Sequence, residues 1–166
     1  MKIAIDPAYD KDIAIAWTED DSIKWDMVKI PKEHTNIKTR SLEQISLLTV
    51  KALESKFGKK LNLKDTLIVI EGQWFGRNVQ VYGQLVTIRS MIHGILIARY
   101  PKLRIEIVNP ITWQSKILDK KKDDKDTTKI RSINKAFELT NQTLTDDESD
   151  AVCMCKYAIN YINNEK

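Results

Sequence analysis

The sequence predicts an α/β fold in which a mixed sheet of about five strands is flanked by helices. Three short apolar or alternating runs follow one another near the start of the chain, separated by turns rich in Asp, Lys and Glu. Further along, strand-like apolar runs alternate with segments of helical spacing. A meander followed by such alternation is typical of a sheet with antiparallel and parallel neighbours. The length of 166 residues and a hydrophobic content of 42% fit one domain, 1–166.

The first part of the chain is predicted to form a three-stranded antiparallel meander and one helix. The strands are expected at about 2–6, 13–17 and 23–28, with a loop from Pro31 through the polar run 33–39. Apolar residues then recur at helical spacing between residues 42 and 53. Ser41 and Gln44 offer a capping box at the start of this helix, and Gly58 a stop at its end.

The rest of the chain is predicted to alternate between strands and helices. Strands are expected at 66–70 and 104–108, and helices at about 78–100, 112–118, around 130–137 and from 145 onward. Pro101 stops the long helix, Asn109-Pro110 is interpreted as a break, and the charged segment 119–126 as a loop. Thr145 and Glu148 offer a capping box to the last helix.

Composition indicates a soluble protein that is not exported. No apolar stretch reaches the roughly 18 residues of a membrane span, so no membrane partner is expected, and the first residues resemble a strand rather than a signal peptide. Cys153 and Cys155 are two apart in a helical pattern and point to different faces. They are interpreted as small buried hydrophobic residues.

The positive charge of the chain is concentrated in one segment. The net charge is +4, and residues 116–135 alone hold eight Lys or Arg against four Asp. A basic segment of this kind could bind a polyanion such as a nucleic acid, next to the acidic residues described below that could cut it. A solvated charged loop is the plainer interpretation, and the two are compatible.

Four carboxylates stand at the ends of apolar runs. Asp6 ends the first strand and Glu71 the fourth, so parallel pairing of these strands, about 4.8 Å apart, would bring the two side chains together. Asp147 and Asp150 share one face of the last helix in its first turns. Asp146 competes with Asp147, since Asp146 and Asp150 are also helical neighbours.

Converging carboxylates repel one another unless a cation neutralises them. Hard oxygen ligands of this kind suit Mg²⁺ or Mn²⁺. The four residues therefore predict a metal-dependent nuclease, in which two cations activate water for phosphodiester hydrolysis.

Several motifs, taken with these carboxylates, resemble the RuvC family of Holliday junction resolvases within the ribonuclease H-like superfamily. The motifs are Asp6-Pro7, the stretch EGQWFGRN at 71–78, Gly83-Gln84, and DESDA at 147–151. Ala8 departs from the glycine that follows Asp-Pro in bacterial members, and the stretch 78–83 is shorter than theirs. These departures favour a divergent, bacteriophage-encoded branch, and the resemblance implies a location in the cytoplasm of a bacterium or of a phage-infected host.

The resemblance implies a ribonuclease H-like fold and a structure-selective endonuclease acting on four-way and other branched DNA. It implies Asp6, Glu71, Asp147 and Asp150 as ligands of two Mg²⁺ or Mn²⁺ ions, with Lys125 or Lys129 near the scissile phosphate. The resemblance also implies products with 5′-phosphate and 3′-hydroxyl ends. It implies that no small-molecule cofactor is needed.

Further residues are predicted to contact DNA. Trp74 matches an aromatic position used at the junction centre, although it could instead pack in the core, and Phe75 is expected to be the more buried of the two. The remaining candidates are basic or polar: Arg77, Asn78, Lys116, Lys120, Lys121 and Lys122.

The long helix 78–100 is predicted to form a homodimer interface. Gly83, Thr87, Ser90, Gly94 and Ala98 align on one face, where small side chains permit close approach, and symmetric cutting of a junction calls for two equivalent sites. Close packing of this face on the chain's own sheet is the alternative.

Other functions are less well supported by the sequence. His34 and His93 are not spaced as ligands of one metal ion. No nucleophile stands beside a plausible histidine, which disfavours a serine or cysteine hydrolase, and no glycine-rich phosphate loop is present, which argues against an ATPase. Two alternatives remain: a ribonuclease H-like nuclease acting on RNA or hybrid duplexes, and a non-catalytic nucleic-acid-binding protein.

Overall fold

Five strands form one mixed sheet, as the sequence predicts. The computed structural model describes residues 1–36, 41–73, 78–118 and 127–162. The strands are β1 (Lys2–Asp6), β2 (Ile13–Glu19), β3 (Ser22–Val28), β4 (Leu67–Glu71) and β5 (Arg104–Val108), in the order β3-β2-β1-β4-β5. The pairs β1·β2 and β2·β3 are antiparallel, whereas β1·β4 and β4·β5 are parallel. The meander and the parallel half are therefore both confirmed, with β1 at the centre.

Helices cover both faces of this sheet. They are α1 (Lys32–Thr35), α2 (Leu42–Phe57), α3 (Val79–Arg99), α4 (Pro110–Ile117), α5 (Thr128–Thr140) and α6 (Asp146–Tyr161), with a 3₁₀ helix at Gly58–Asn62. Ser41 caps α2 by accepting a hydrogen bond from the Gln44 amide, and Gly58 ends it at a positive φ of 49°. Ser41 as the N-cap and Gly58 as the stop are thus confirmed, but among the described residues the Gln44 side chain does not return the second bond of a capping box.

Two boundaries differ from the sequence-based expectation. Residues 32–35, expected in a loop, form the single helical turn α1, which is too short to show a periodicity. Asn109-Pro110, expected as a break, is the start of α4: the Asn109 side chain accepts from the Ile111 amide, and proline occupies the first turn. Proline fits there because that position needs no backbone donor.

The core is divided by the sheet into two layers whose side chains alternate along each strand. Ile3 and Ile5 of β1 point into the layer covered by α2 and α3. Ala4 of β1 points into the opposite layer, as do Ala14 and Ala16 of β2. This alternation is the period of two that a strand imposes. Three alanines leave a shallow surface on which α6 packs closely through its own small buried residues, including Ala151, Cys155 and Ala158.

Helix α3 is less covered than its composition suggests. Only Ile88, Ile92 and Leu96 are buried among its described residues. Its length and mean hydropathy of 1.3 are sufficient for a membrane span, and 17% of the relevant window is buried. The expectation that no stretch is long enough to span a membrane is therefore wrong for α3. That expectation considered only uninterrupted apolar runs, whereas α3 is apolar on average although polar residues are scattered along it. Length and composition alone do not separate a span from a helix covered by protein.

Candidate active site

Asp6 and Glu71 are brought together by the parallel pairing of β1 with β4. Ile5 of β1 is opposite Ile70 of β4, and the two acids are the next residue of each strand. Burial and interaction between the two carboxyl groups raise the pKa of Asp6. The adjacency expected from the sequence is therefore present at the carboxyl end of the central strands.

Helix α6 brings two further carboxylates to the same end of the sheet. Its first turn is fixed by the predicted capping box, in which the Thr145 hydroxyl accepts from the Glu148 amide and the Glu148 carboxylate accepts from the Thr145 amide. Asp147 and Asp150 lie in these first turns and are partly buried, like Asp6 and Glu71. The charges of both helix residues act on Asp6 and on Glu71.

Burial, with repulsion between the neighbouring carboxylates, raises the pKa values of Asp6, Glu71 and Asp150. Burial, followed by the Coulombic repulsion of Glu71, Asp150 and Asp147, raises the pKa of Asp6 well above its usual value. Burial raises the pKa of Glu71 to about 7, with repulsion from Asp150 and Asp147 adding to it. Burial likewise raises the pKa of Asp150 to about 6, against a hydrogen bond from Ser132. The charged forms are therefore disfavoured unless a cation joins them.

Asp146 and Asp147 are separated by their partners. Asp146 forms an ion pair with Lys129. Asp147 accepts a hydrogen bond from Lys11 Nζ at 2.6 Å and contributes to the raised pKa values of Asp6 and Glu71. The charges of Asp146 and Asp147 both help to raise the pKa of Asp150. The geometry therefore favours Asp147 as the member of the carboxylate cluster, defined as Asp6, Glu71, Asp147 and Asp150.

Three residues that the sequence did not single out contact this cluster. Trp113 Nε1 donates a hydrogen bond to Glu71 Oε1 at 2.9 Å, and Ser132 Oγ donates to Asp150 Oδ1 at 2.5 Å. Lys11 pairs with Asp147 from the loop between β1 and β2. Only Lys11 carried a usable signal, as a basic residue five positions after Asp6. Trp113 and Ser132 are remote in sequence and are typical of core positions.

The donor set suits a hard divalent cation. All four side chains offer oxygen ligands, and within the described ranges no lysine or arginine forms an ion pair with Asp6, Glu71 or Asp150. In the same part of the chain, no group of three or more His, Cys, Asp or Glu residues is arranged so that it could hold a metal ion as it stands. Coordination would thus require some of these side chains to turn, most evidently Asp147, which is engaged by Lys11.

The residues predicted to contact DNA are only partly described. Trp74, Phe75, Arg77, Lys120, Lys121, Lys122 and Lys125 lie outside the described residues. Asn78 is exposed, and its side chain caps α3 by accepting from the Val81 amide at 3.1 Å. Lys116 is exposed on α4, with its ammonium 5.8 Å from the centre of the Tyr161 ring. Lys129 is 63% exposed beside Asp146.

The small-residue face of α3, defined as Gly83, Thr87, Ser90, Gly94 and Ala98, is exposed along its whole length. A Cβ atom added at Gly83 or Gly94 would meet nothing within 4 Å. The alternative that this face packs on the chain's own sheet is therefore wrong for the described residues. The buried residues Ile88, Ile92 and Leu96 form a different stripe of the helix.

Comparison with known proteins identifies the fold. No protein-family model and no curated protein sequence matches the chain. Among solved structures, Thermus thermophilus RuvC in complex with a Holliday junction substrate superposes with a TM-score of 0.62 at 10% identity, covering 98% of this chain and 95% of that one. A second structure of Thermus thermophilus RuvC gives a TM-score of 0.58 at 12% identity and covers 95% of each chain.

A eukaryotic protein shares the same architecture. The yeast mitochondrial Holliday junction resolvase Ydc2 superposes with a TM-score of 0.51 at 13% identity, covering 93% of this chain and 75% of that one. The chain therefore has the ribonuclease H-like fold of these resolvases, as the motifs implied.

Proposed function

We propose that this chain, which has the fold of RuvC-type resolvases, is a structure-selective DNA endonuclease that resolves four-way junctions and acts on other branched DNA. The observation that carries the proposal is the carboxylate cluster at the carboxyl end of the central strands. An unneutralised set of this kind destabilises a fold, as the raised pKa values of Asp6, Glu71 and Asp150 indicate. A catalytic requirement for hard cations explains the presence of the cluster.

The cluster residues have separable roles in this proposal. Asp6, on the central strand, would bridge two cations, Glu71 would hold one, and Asp147 with Asp150 the other. Mg²⁺ or Mn²⁺ in such a pair supplies activation of a water and stabilisation of the leaving oxygen. No side chain of the protein then has to act as nucleophile, and the products carry 5′-phosphate and 3′-hydroxyl ends.

Basic residues near the cluster would hold the phosphate backbone. Lys129 pairs with Asp146 one helical turn from Asp150, close enough for its charge to oppose the raised pKa of Asp150. This position supports Lys129, with Lys125 as the alternative, as the residue that offsets charge on the scissile phosphate. Trp74 would act at the junction centre. The other residues proposed to contact DNA are Phe75, Arg77, Asn78, Lys116, Lys120, Lys121 and Lys122.

A homodimer would supply the two equivalent sites that symmetric resolution needs. The exposed small-residue face of α3 supports this arrangement, because Gly83 and Gly94 have free space in front of them and permit close approach of a second helix. An apolar helix with so little cover is also more stable when a partner removes it from water.

The test is a cleavage assay on synthetic four-way, three-way and linear duplexes, with and without Mg²⁺. We expect Mg²⁺-dependent cutting of the branched substrates in preference to the linear one. Asp6→Asn and Glu71→Gln should bind the junction normally and lower the cleavage rate by roughly 10²-fold or more, because each removes a charged ligand. Asp26→Asn, which changes a surface ion pair with Lys56, is the matched control and should cut normally.

Three outcomes would contradict the proposal. Mg²⁺-dependent cutting retained in Asp6→Asn or Glu71→Gln would separate the cluster from catalysis. Preference for RNA or hybrid duplexes without any response to branching would indicate a different nuclease of the same fold, and binding without cutting under any divalent ion would indicate a binding protein.

A further inference from the structure

Glu71 is held by a buried tryptophan from the neighbouring part of the fold. Trp113 is 0% exposed, and its indole N–H donates to Glu71 Oε1 at 2.9 Å. Indole has a single donor and no acceptor, so this bond uses its whole hydrogen-bonding capacity. Losing the bond would leave the buried N–H without a partner, which makes the contact a strong constraint on both side chains.

The position of Trp113 follows from the sheet. Glu71 of β4 is opposite Val108 of β5, and the Gly72 amide donates to the Val108 carbonyl at 2.7 Å. A side chain at position 72 would crowd that carbonyl at 3.1 Å, so the glycine permits this close approach. Helix α4 begins immediately after β5 and presents Trp113 toward the end of β4. The indole is therefore fixed by elements that do not belong to the carboxylate cluster.

Asp150 is held in a comparable way from α5. Ser132 is 0% exposed, and its hydroxyl donates to Asp150 Oδ1 at 2.5 Å. The thiol of Cys153, on the buried side of α6, lies 3.6 Å from the Ser132 carbonyl oxygen and 3.7 Å from its hydroxyl. These contacts join α5 to α6 at the turn that carries Asp150.

Neutral donors and cations act differently on a ligand carboxylate. Lys11 offers Asp147 a full positive charge, so it competes with any metal for the same oxygen. Trp113 and Ser132 offer hydrogen bonds without charge, so each can fix the orientation of its carboxylate while lone pairs remain available. Groups that orient metal ligands from behind in this way raise metal affinity.

We propose that Trp113 and Ser132 are positioning residues, which hold Glu71 and Asp150 in the orientation that binds divalent cations. The proposal rests on the function proposed above and extends it to two residues outside the carboxylate cluster. Neither residue touches substrate or metal; each acts through the carboxylate that accepts its hydrogen bond.

Isothermal titration of the full chain with Mn²⁺, in the absence of DNA, tests the proposal. Trp113→Phe keeps the aromatic ring and removes the N–H, and Ser132→Ala removes the hydroxyl. We expect each change to weaken Mn²⁺ binding by roughly 10- to 100-fold, as for other groups that support metal ligands. Trp17→Phe and Ser46→Ala, which are buried changes of the same kind in the opposite core layer, should leave Mn²⁺ affinity unchanged.

The controls separate positioning from stability. All four variants are expected to lower the melting temperature, because each alters a buried side chain, but only the first two should lose metal affinity. Cleavage by Trp113→Phe should recover when Mg²⁺ is raised, so the Mg²⁺ concentration for half-maximal rate shifts more than the rate at saturation.

A spectroscopic measurement reports on the contact without any catalysis. The indole ¹H–¹⁵N resonance of Trp113, assigned by its loss in Trp113→Phe, should shift in Glu71→Gln and on titration with Mg²⁺. The Trp17 resonance, which reports on a ring packed against Phe57 in the opposite layer, should not respond.

The outcomes distinguish this proposal from the function it rests on. If the wild-type chain binds Mn²⁺ but both variants bind it equally well, the positioning roles are refuted and the proposed function stands. If the wild-type chain neither binds Mn²⁺ nor cuts branched DNA, the proposed function fails, and the positioning proposal fails with it.

Discussion

At the scale of single residues, the carboxylate cluster brings together acidic side chains whose charged forms are disfavoured by burial and repulsion. Asp6 and Glu71 end neighbouring parallel strands, where burial and the nearby carboxylates raise the pKa values of both. The other polar contacts of the cluster differ in kind, since Trp113 and Ser132 are neutral whereas Lys11 is charged. The response of the site to metal should therefore depend on which of these contacts persists and which must break.

Lys11 is expected to compete with a divalent cation for Asp147. Its ammonium lies 2.6 Å from Asp147 Oδ1, and its side chain is 53% exposed. Burial opposes the charge, but the hydrogen bond and attraction from Asp147 outweigh it and raise the pKa of Lys11. Lys11→Gln should tighten Mn²⁺ binding by about two- to fivefold, because an exposed ion pair contributes up to about 1 kcal/mol.

Titration calorimetry on DNA-free protein measures this change. Lys29→Gln, which removes a comparable exposed ion pair with Asp12 at 2.7 Å, is the matched control and should not alter the affinity. Weaker Mn²⁺ binding in Lys11→Gln would mean that the lysine supports the metal site instead of competing for it.

At the scale of secondary-structure elements, α6 positions residues of the carboxylate cluster, and α3 carries the face proposed for dimerisation. Helix α6 is fixed by its capping box and by the alanine surface of β1 and β2, so its first turns deliver Asp147 and Asp150 to the strand ends. Helix α3 buries one narrow stripe in the core layer that it shares with α2 and leaves its small-residue face exposed.

If α3 forms the proposed dimer interface, a bulky charge at the centre of its small-residue face will produce monomers. Gly94→Arg meets no atom of its own chain, since the space in front of Gly94 is empty to 4 Å. Replacing a helical glycine should leave the free energy of unfolding of the monomer unchanged or raise it by about 0.5–1 kcal/mol. In a dimer that packs through this face, however, the side chain would separate the helices.

Sedimentation analysis is the measurement, with an expected increase of tenfold or more in the dimer dissociation constant, or about 1.4 kcal/mol. Ser55→Arg adds the same charge to the exposed face of α2 and should have no effect. An unchanged dimer in Gly94→Arg would exclude this face as the interface.

At the scale of the whole molecule, the raised pKa values couple stability to pH and to metal. Glu71 has a pKa of about 7 in the folded chain against an ordinary value of 4.5, and Asp150 about 6 against 3.8. The folded state therefore binds more protons than the unfolded state between these limits. Stability should be highest at the acidic side of this window and fall as pH rises through it.

Denaturation of the metal-free chain at a series of pH values checks this sign. From about pH 4.5 to pH 7 we expect the free energy of unfolding to fall by an amount on the order of 4 kcal/mol. Millimolar Mg²⁺ should restore much of the loss, and Glu71→Gln should reduce the slope. Stability that rises across the window would contradict the raised pKa values.

Ion pairs elsewhere do not obscure this result. Hydrogen bonds and ion pairs lower the pKa values of Asp12, Asp26 and Glu54. Groups of that kind contribute stability that is lost only when pH falls below their ordinary values of 3.8 to 4.5. Their effect therefore lies on the acidic side of the window in which Glu71 and Asp150 act.

The sequence alone was sufficient for the strands, most helices and the placement of Asp6 beside Glu71. Strand 104–108 was predicted with the bounds that the structure gives, and the caps at Ser41, Gly58 and Thr145 were predicted as they occur. These features are local, because period, capping residues and turn residues act within a few positions of one another. The single turn α1 was missed because one turn has no period to detect. The start of α4 at Pro110 was missed because Asn109-Pro110 was interpreted as a break, whereas proline also fits the first turn of a helix.

What the tertiary structure decided is which surfaces and side chains meet. Sequence spacing put Asp146 and Asp147 equally near Asp150, and only packing directed Asp147 to the cluster and Asp146 to Lys129. It also left the small-residue face of α3 outward and brought Trp113, 42 positions away, onto Glu71. A periodic pattern specifies which residues share a face, but the partner of that face depends on contacts between residues far apart in the chain.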